Sequence, residues 1–299
     1  MVETTQPFEK VVIPAAGLGT RLLSATKEQP KEMLSVFATT EDGNLCLKPI
    51  VQRIFEQLYD FGTREFCFIV GREKRAIEDH FTPERYLIDL LNAHRKSSQA
   101  GHLEDFYKKI QKSTIVWLNQ PEPRGFGDAV LQAEHIVGQE PFLVHAGDTL
   151  IITDKASTLP ERLTEAHTMG NADATLAVQD VHDPRQYGVA EVNHGAIGNL
   201  IVKRVVEKPS DPASTLAIMP LYVFNPTIFT ALKDTVPGKG GELQLTDAIQ
   251  RLIDTDHKVQ AIKLRADDVR LDIGTPETYW EALELSHRNA LDRQVTRNR

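Results

Sequence analysis

The amino-acid sequence points to an α/β protein with a Rossmann-like mixed, mostly parallel central sheet flanked by helices. Short β-branched runs alternate with helical periodicity through the first half, the βαβαβ pattern of a doubly wound parallel sheet. From residue 174 onward, strands follow one another with little helix between them, which adds a mixed half. The chain has 299 residues, 41% hydrophobic and 25% charged, enough for a large core without disulfides. No repeat, low-complexity tract or linker divides it, so residues 1–299 are expected to form one domain.

The first strand is Val11-Val12-Ile13, running into Pro14-Ala15-Ala16-Gly17. Pro30 interrupts any helix, so Lys31-Glu32-Met33-Leu34 is expected as loop or extended chain. Pro49 suits a helix start, because its missing N–H has no helical partner there anyway. Ile50, Val51, Ile54, Phe55 and Leu58 then recur at helical spacing until Gly62. Residues 66–70 read as a strand and 73–80 as a helix. Residues 82–113 hold two helical patterns, around Leu90 and around Tyr107, separated by a polar stretch at 96–101. They read as an inserted helical hairpin. Strands are expected at 115–118 and 142–144, and a helix at 159–169. Further strands fall at 174–178, 188–192, 202–206 and 216–224. Helices at 228–232 and 243–253 precede strands at 259–264 and 269–273. A last helix begins at Pro276, and residues 276–299 form a C-terminal helix and tail.

Lys and Arg number 34 against 42 Asp and Glu, a formal charge of −8. That balance disfavours nucleic acid, which wants a basic footprint. It leaves room for a small cationic pocket. Cys46 and Cys67 both sit in apolar contexts and are expected as buried, reduced thiols. No apolar run approaches the ~18 residues of a membrane span. The polar stretch from Met1 to Glu9 does not read as a signal peptide, so the expected compartment is the cytoplasm and no membrane partner is expected.

Two features carry chemistry. The turn Gly17-Leu18-Gly19-Thr20-Arg21 follows the first strand, where small residues let backbone N–H groups approach phosphates. It fails the dinucleotide fingerprint, because Leu22 stands where the third glycine belongs, and it lacks the Gly-Lys-Ser/Thr of a phosphate loop. Arg21 beside it suits a polyphosphate. Asp148 ends one strand and Asp272 lies in another strand-turn. Ligands gather at strand carboxyl ends in open α/β sheets. On the residues alone, each aspartate also reads as an ordinary turn or cap. The ten histidines are scattered, with no Ser-His-Asp or Cys-His set.

Pro14-Ala15-Ala16-Gly17-Leu18-Gly19-Thr20-Arg21 followed by Pro30-Lys31-Glu32-Met33-Leu34 resembles the signature of sugar-phosphate nucleotidyltransferases, and most closely their bacterial-type UTP–glucose-1-phosphate uridylyltransferases. The likeness continues through Gln120 with Arg124-Gly125-Phe126-Gly127-Asp128, then Gly147-Asp148, Tyr187-Gly188-Val189 and Val206-Glu207-Lys208-Pro209. It ends in Gly241-Glu242-Leu243-Gln244-Leu245-Thr246-Asp247 and Asp272-Ile273-Gly274-Thr275-Pro276. The set spans nearly the whole chain in order, and its specificity lies in that order.

The resemblance implies the nucleotide-diphospho-sugar transferase fold. It also implies a reaction in which the phosphate oxygen of glucose 1-phosphate attacks the α-phosphorus of UTP, giving UDP-glucose and pyrophosphate. In that reaction Arg21 braces the β- and γ-phosphates and Lys31 neutralises them from the other side. Asp148 and Asp272 hold Mg²⁺. Main chain at Ala15, Ala16 and Gly17, with Gln120 and Gly125, receives the base, and Glu32 touches the nucleoside. Lys208 pairs with the sugar phosphate, Glu207 accepts from sugar hydroxyls, and the Gly188 backbone approaches the hexose. A homodimer or homotetramer is also implied. The sequence departs from the pattern at Arg124, where lysine is usual, at Asp128, where histidine or threonine is common, and across Leu216-Ala217-Ile218-Met219-Pro220, which lacks the usual glycine. These departures bear on which nucleotide and which sugar. The alternatives are dTTP- or N-acetylhexosamine-specific transfer and a non-catalytic nucleotide-sugar-binding regulatory subunit.

Overall fold

A computed structural model describes residues 8–153, 157–195 and 200–297. The start of the polar N-terminal stretch and the last two residues of the expected tail lie outside the described residues.

The chain opens with β1 (Lys10–Ala15), then a ribbon of β2 (Ser35–Thr39) and β3 (Leu45–Pro49). Helix α1 (Ile50–Phe61) follows, with Ile50, Val51, Ile54, Phe55 and Leu58 fully buried, as their spacing requires. Next come β4 (Glu65–Gly71), α2 (Arg75–His80), α3 (Arg85–Ala93), α4 (Ser97–Gln111) and β5 (Thr114–Gln120). Helices α5 (Phe126–Leu131) and α6 (Glu134–Val137) lead to β6 (Phe142–His145), β7 (Thr149–Ile152) and α7 (Leu159–Gly170). The second half holds β8 (Ala174–Asp180), β9 (Gly188–His194), β10 (Leu200–Glu207) and β11 (Leu216–Phe224). It closes with α8 (Thr227–Asp234), α9 (Leu245–Asp254), β12 (Val259–Lys263), β13 (Val269–Asp272) and α10 (Pro276–Arg297).

Among the described residues, nine strands form the central sheet in the order β5-β4-β1-β6-β11-β8-β12-β10-β9. β5, β4, β1 and β6 are mutually parallel, and β8 is parallel to β12. β11 and β10 run against their neighbours, so seven of the nine strands share one direction. Both faces are covered. Val11 and Ile13 of β1 face the core under α1, while Val12 faces the core under α8 and α9. The chain leaves β1 toward β4 and β5, then returns to the other side of β1 at β6. That reversal makes a crevice beyond the carboxyl ends of β1 and β6, where doubly wound folds take their ligands.

Several expectations change. Lys31–Met33 is a single 3-10 turn rather than loop or extended chain, with Leu34 extended behind it. The polar stretch at 96–101 falls largely inside α4, not in a hairpin loop. α4 also carries Phe106, Tyr107 and Ile110 into the core, while α3 has no buried residue. Cys67 is buried, but Cys46 is half-buried on β3, between exposed Leu45 and Leu47. The β2–β3 ribbon stands apart from the main sheet, so an apolar neighbourhood in sequence does not bury its residues there. The sequence also gave no warning of β2, β3, β7, α5 or α6.

Candidate active site

A cavity of about 580 Å³ occupies the crevice. It is lined by twelve of the expected residues: Ala16, Gly17, Arg21, Lys31, Glu32, Gln120, Gly125, Asp148, Gly188, Glu207, Lys208 and Asp272. Ala15 is the exception. It is the last residue of β1, and its side chain packs into the core beneath the turn. A wider, more open groove of about 840 Å³ beside β9 and β11 brings none of these residues together.

The two aspartates arrive from different elements. Asp148 follows β6. Asp272 ends β13, which pairs antiparallel with β7 so that Asp272 lies opposite Thr149. The Thr149 hydroxyl lies 3.1 Å from Asp272 Oδ1 and 3.3 Å from Asp148 Oδ1, spanning the two carboxylates. Burial raises the Asp272 pKa, and the charge of Asp148 adds to it. Burial also acts to raise the Asp148 pKa, but Lys31 outweighs it, and Asp148 is held below its ordinary value. The Lys31 ammonium sits 2.5 Å from Asp148 Oδ2, beside Gly17. Burial opposes the Lys31 charge, yet Asp148 and Glu32 overcome it and raise its pKa.

Two half-buried carboxylates linked by one hydroxyl suit a hard divalent cation. Among the described residues no group of three or more His, Cys, Asp or Glu side chains could hold a metal. A site of two carboxylates fits Mg²⁺, which keeps waters and takes substrate phosphates as further ligands.

Glu32 lines the cavity but is held by a buried partner. It is 1% exposed and accepts from Lys74 Nζ at 2.8 Å. Burial raises the Glu32 pKa despite the opposing pull of Lys74 and Lys31. Gln120 is also more constrained than its expected base-reading role allows. Its amide nitrogen donates to the Gly125 carbonyl at 3.1 Å and to Asp128 Oδ2 at 2.7 Å. Both partners can only accept, so the amide orientation is set, and only its carbonyl oxygen is left to face a ligand. Gly125 has φ 113°, and a Cβ there would meet the Leu243 carbonyl at 2.6 Å. No other residue fits that position.

At the opposite end, Glu207 accepts from Thr246 Oγ1 at 2.7 Å and pairs with Lys208 at 3.1 Å. Lys208 takes φ 42°, a left-handed backbone uncommon for a residue with a side chain. Its N–H donates to the Tyr187 carbonyl at 2.9 Å. A Cβ on Gly188 would fall 2.9 Å from Thr246 Oγ1 and 3.2 Å from Glu207 Oε2, so that wall is lined by bare backbone.

The sequence reading passed over Lys74, Thr149 and Arg270. Lys74 carries no spacing signal. Its partner Glu32 is 42 positions away. Arg270 had one, since it lies two residues before Asp272 on a strand and therefore shares its face.

The cavity thus has cations at both ends and two carboxylates between them, a layout for bringing two phosphorylated molecules together. Comparison with known proteins agrees. Residues 10–289 match the family model described as nucleotidyl transferase. The chain is 41% identical over 281 residues to the UTP–glucose-1-phosphate uridylyltransferase of Streptococcus pneumoniae, covering 90% of this chain and 87% of the relative. A Bacillus subtilis protein of the same name is 38% identical over 248 residues, covering 81% and 78%. Among solved structures, a UDP-glucose pyrophosphorylase complexed with UDP-glucose superposes with a TM-score of 0.80 at 30% identity, over 94% of this chain and 99% of that one. A UTP-bound UGPase from Acinetobacter baumannii gives 0.80 at 28%, over 93% and 92%. With its sheet, its crevice and its ordered motifs all in agreement, the chain belongs to the nucleotidyl transferase family.

Proposed function

We propose that the protein is a UTP–glucose-1-phosphate uridylyltransferase, joining UTP and glucose 1-phosphate to give UDP-glucose and pyrophosphate. The observation that carries the reaction class is the single cavity with Arg21 and Lys31 at one end, Lys208 at the other, and Asp148 and Asp272 between. The choice of uridine nucleotide and glucose follows the relatives' names.

A sugar-phosphate oxygen attacks the α-phosphorus, a new P–O bond forms, and the α–β bridge breaks to release pyrophosphate. The nucleophile is already anionic at neutral pH, so no general base is needed. Catalysis is then positioning and charge stabilisation. Asp148 and Asp272 would hold Mg²⁺, which would supply positive charge to stabilise the phosphates. Arg21, exposed on the turn, braces the β- and γ-phosphates, and the Lys31 ammonium neutralises them from beside Gly17. Ala16 and Gly17 offer backbone to the nucleotide. Gln120 offers its carbonyl oxygen to the imide N–H of the pyrimidine. Lys208 meets the sugar phosphate, and Glu207 accepts from hexose hydroxyls over the bare wall at Gly188. The cytoplasm is the proposed compartment, and a homodimer or homotetramer the proposed assembly. Among the described residues no helix is long and apolar enough to cross a membrane.

The test is a matrix of nucleoside triphosphates against hexose 1-phosphates, read by pyrophosphate release with Mg²⁺ present. UTP with glucose 1-phosphate should give the highest kcat/KM. A preference for dTTP or for an N-acetylhexosamine 1-phosphate would reassign the substrates. Silence across the matrix would sink the reading and favour a non-catalytic binding subunit.

A further inference from the structure

Arg270 and Asp272 alternate on β13, so both side chains share one face, and both line the cavity. Arg270 is half-buried. Its Nη2 donates to the Tyr187 hydroxyl at 3.1 Å, its Nη1 meets the Met219 sulfur at 3.3 Å, and its guanidinium carbon lies 5.2 Å from the centre of the Tyr187 ring. All these contacts are to neutral groups. Among the described residues no carboxylate comes within 4 Å of it, whereas Lys31 is paired with Asp148 and Lys208 with Glu207. The Asp272 carboxylate attracts Arg270 through space but forms no ion pair with it, so the partly desolvated guanidinium keeps N–H donors that an arriving anion can take up.

Its location says which anion. Tyr187 precedes Gly188, and its carbonyl holds the Lys208 N–H. Met219 lies on β11, between β6 and β8. Arg270 therefore stands at the sugar end of the cavity, across the two aspartates from Arg21 and Lys31. We propose that Arg270 is a substrate-binding residue, gripping the phosphate of the incoming sugar 1-phosphate with its remaining N–H donors while Tyr187 sets the plane of the guanidinium. The proposal rests on the transferase reading above. It deepens that reading by naming a second cation, beside Lys208, that selects a phosphomonoester dianion over an uncharged sugar.

Steady-state kinetics of the full-length enzyme in both directions tests it. Arg270→Met should raise the KM for glucose 1-phosphate about 10- to 100-fold, the value of one charged hydrogen-bonded contact. The KM for UTP forward and for pyrophosphate in reverse should stay within about 2-fold. Arg270→Lys should recover part of the loss, and Tyr187→Phe should raise the same KM by a few fold. A rise confined to UTP or pyrophosphate would place Arg270 on the triphosphate and overturn the proposal. So would unchanged KM values with a lowered melting temperature, the mark of a structural role. A wild-type enzyme that releases no pyrophosphate sinks both readings. A working wild type with an unperturbed Arg270→Met sinks only this one.

Discussion

A carboxylate that is 1% exposed keeps its charge only if a cation is buried with it, and Glu32 has Lys74 at 2.8 Å. Replacing one member strands the other. Lys74→Met should therefore destabilise the protein by about 3–5 kcal/mol, the usual consequence of an unpaired buried charge. The double variant Lys74→Met with Glu32→Gln should recover much of that loss. Urea unfolding of the two variants decides the matter, and equal stabilities would remove the charge argument. Asp148 and Asp272, the proposed metal ligands, behave differently, because their cost in the free enzyme is repulsion relieved by Lys31. Asp148→Asn and Asp272→Asn should leave the circular dichroism spectrum unchanged while abolishing most turnover. Near-normal rates in both at saturating Mg²⁺ would refute the metal assignment.

Among the elements, α4 and α3 share one hairpin but not one role. Phe106 of α4 packs edge-on against Phe55 at 6.0 Å and against Phe81 at 5.4 Å. Phe106→Ala should cost about 3–5 kcal/mol. Tyr86 on α3 is 71% exposed, and Tyr86→Ala should change stability by less than about 0.5 kcal/mol. Thermal melts of the pair test whether α4 is a true crossover layer. The start of α5 is equally constrained. Gly125→Ala would force a Cβ into the Leu243 carbonyl at a left-handed φ, so the loop that positions Gln120 should shift and the KM for UTP should rise. An unchanged KM for UTP would show that this loop does not set the nucleotide site.

For the molecule as a whole, pH reports on two histidines removed from water, one fully buried and one half-buried. Burial pushes His80 and His145 down from 6.5 to about 4. Both stay neutral in the fold where the unfolded chain would be protonated. Between pH 6.5 and 4 the unfolded state binds more protons, so stability is fully present above 6.5 and is lost as pH falls through that window. Melting temperatures from pH 7 to 4.5 should fall, and His80→Gln should fall less steeply than wild type. Parallel curves would assign the acid sensitivity to carboxylates instead.

What was legible in the linear chain was whatever depends on neighbours along it. The period of Ile50 to Leu58, the Pro49 start and the strand of Val11 to Ile13 follow from local sterics and hydrophobic spacing, and the ordered motifs at Arg21, Lys31, Asp148, Glu207 and Asp272 were legible through their family resemblance. These local signals were enough for the α/β class, and the motif likeness for the kind of reaction. Tertiary structure alone decided which distant groups meet. It paired Glu32 with Lys74 inside the cavity wall, locked the Gln120 amide onto Asp128, left Cys46 half-exposed on a ribbon outside the sheet, and set Arg270 against the Tyr187 hydroxyl on the same strand face as Asp272. Burial and Coulomb coupling depend on distance through space, and a chain that folds back on itself at β6 and β13 creates distances that its order does not contain.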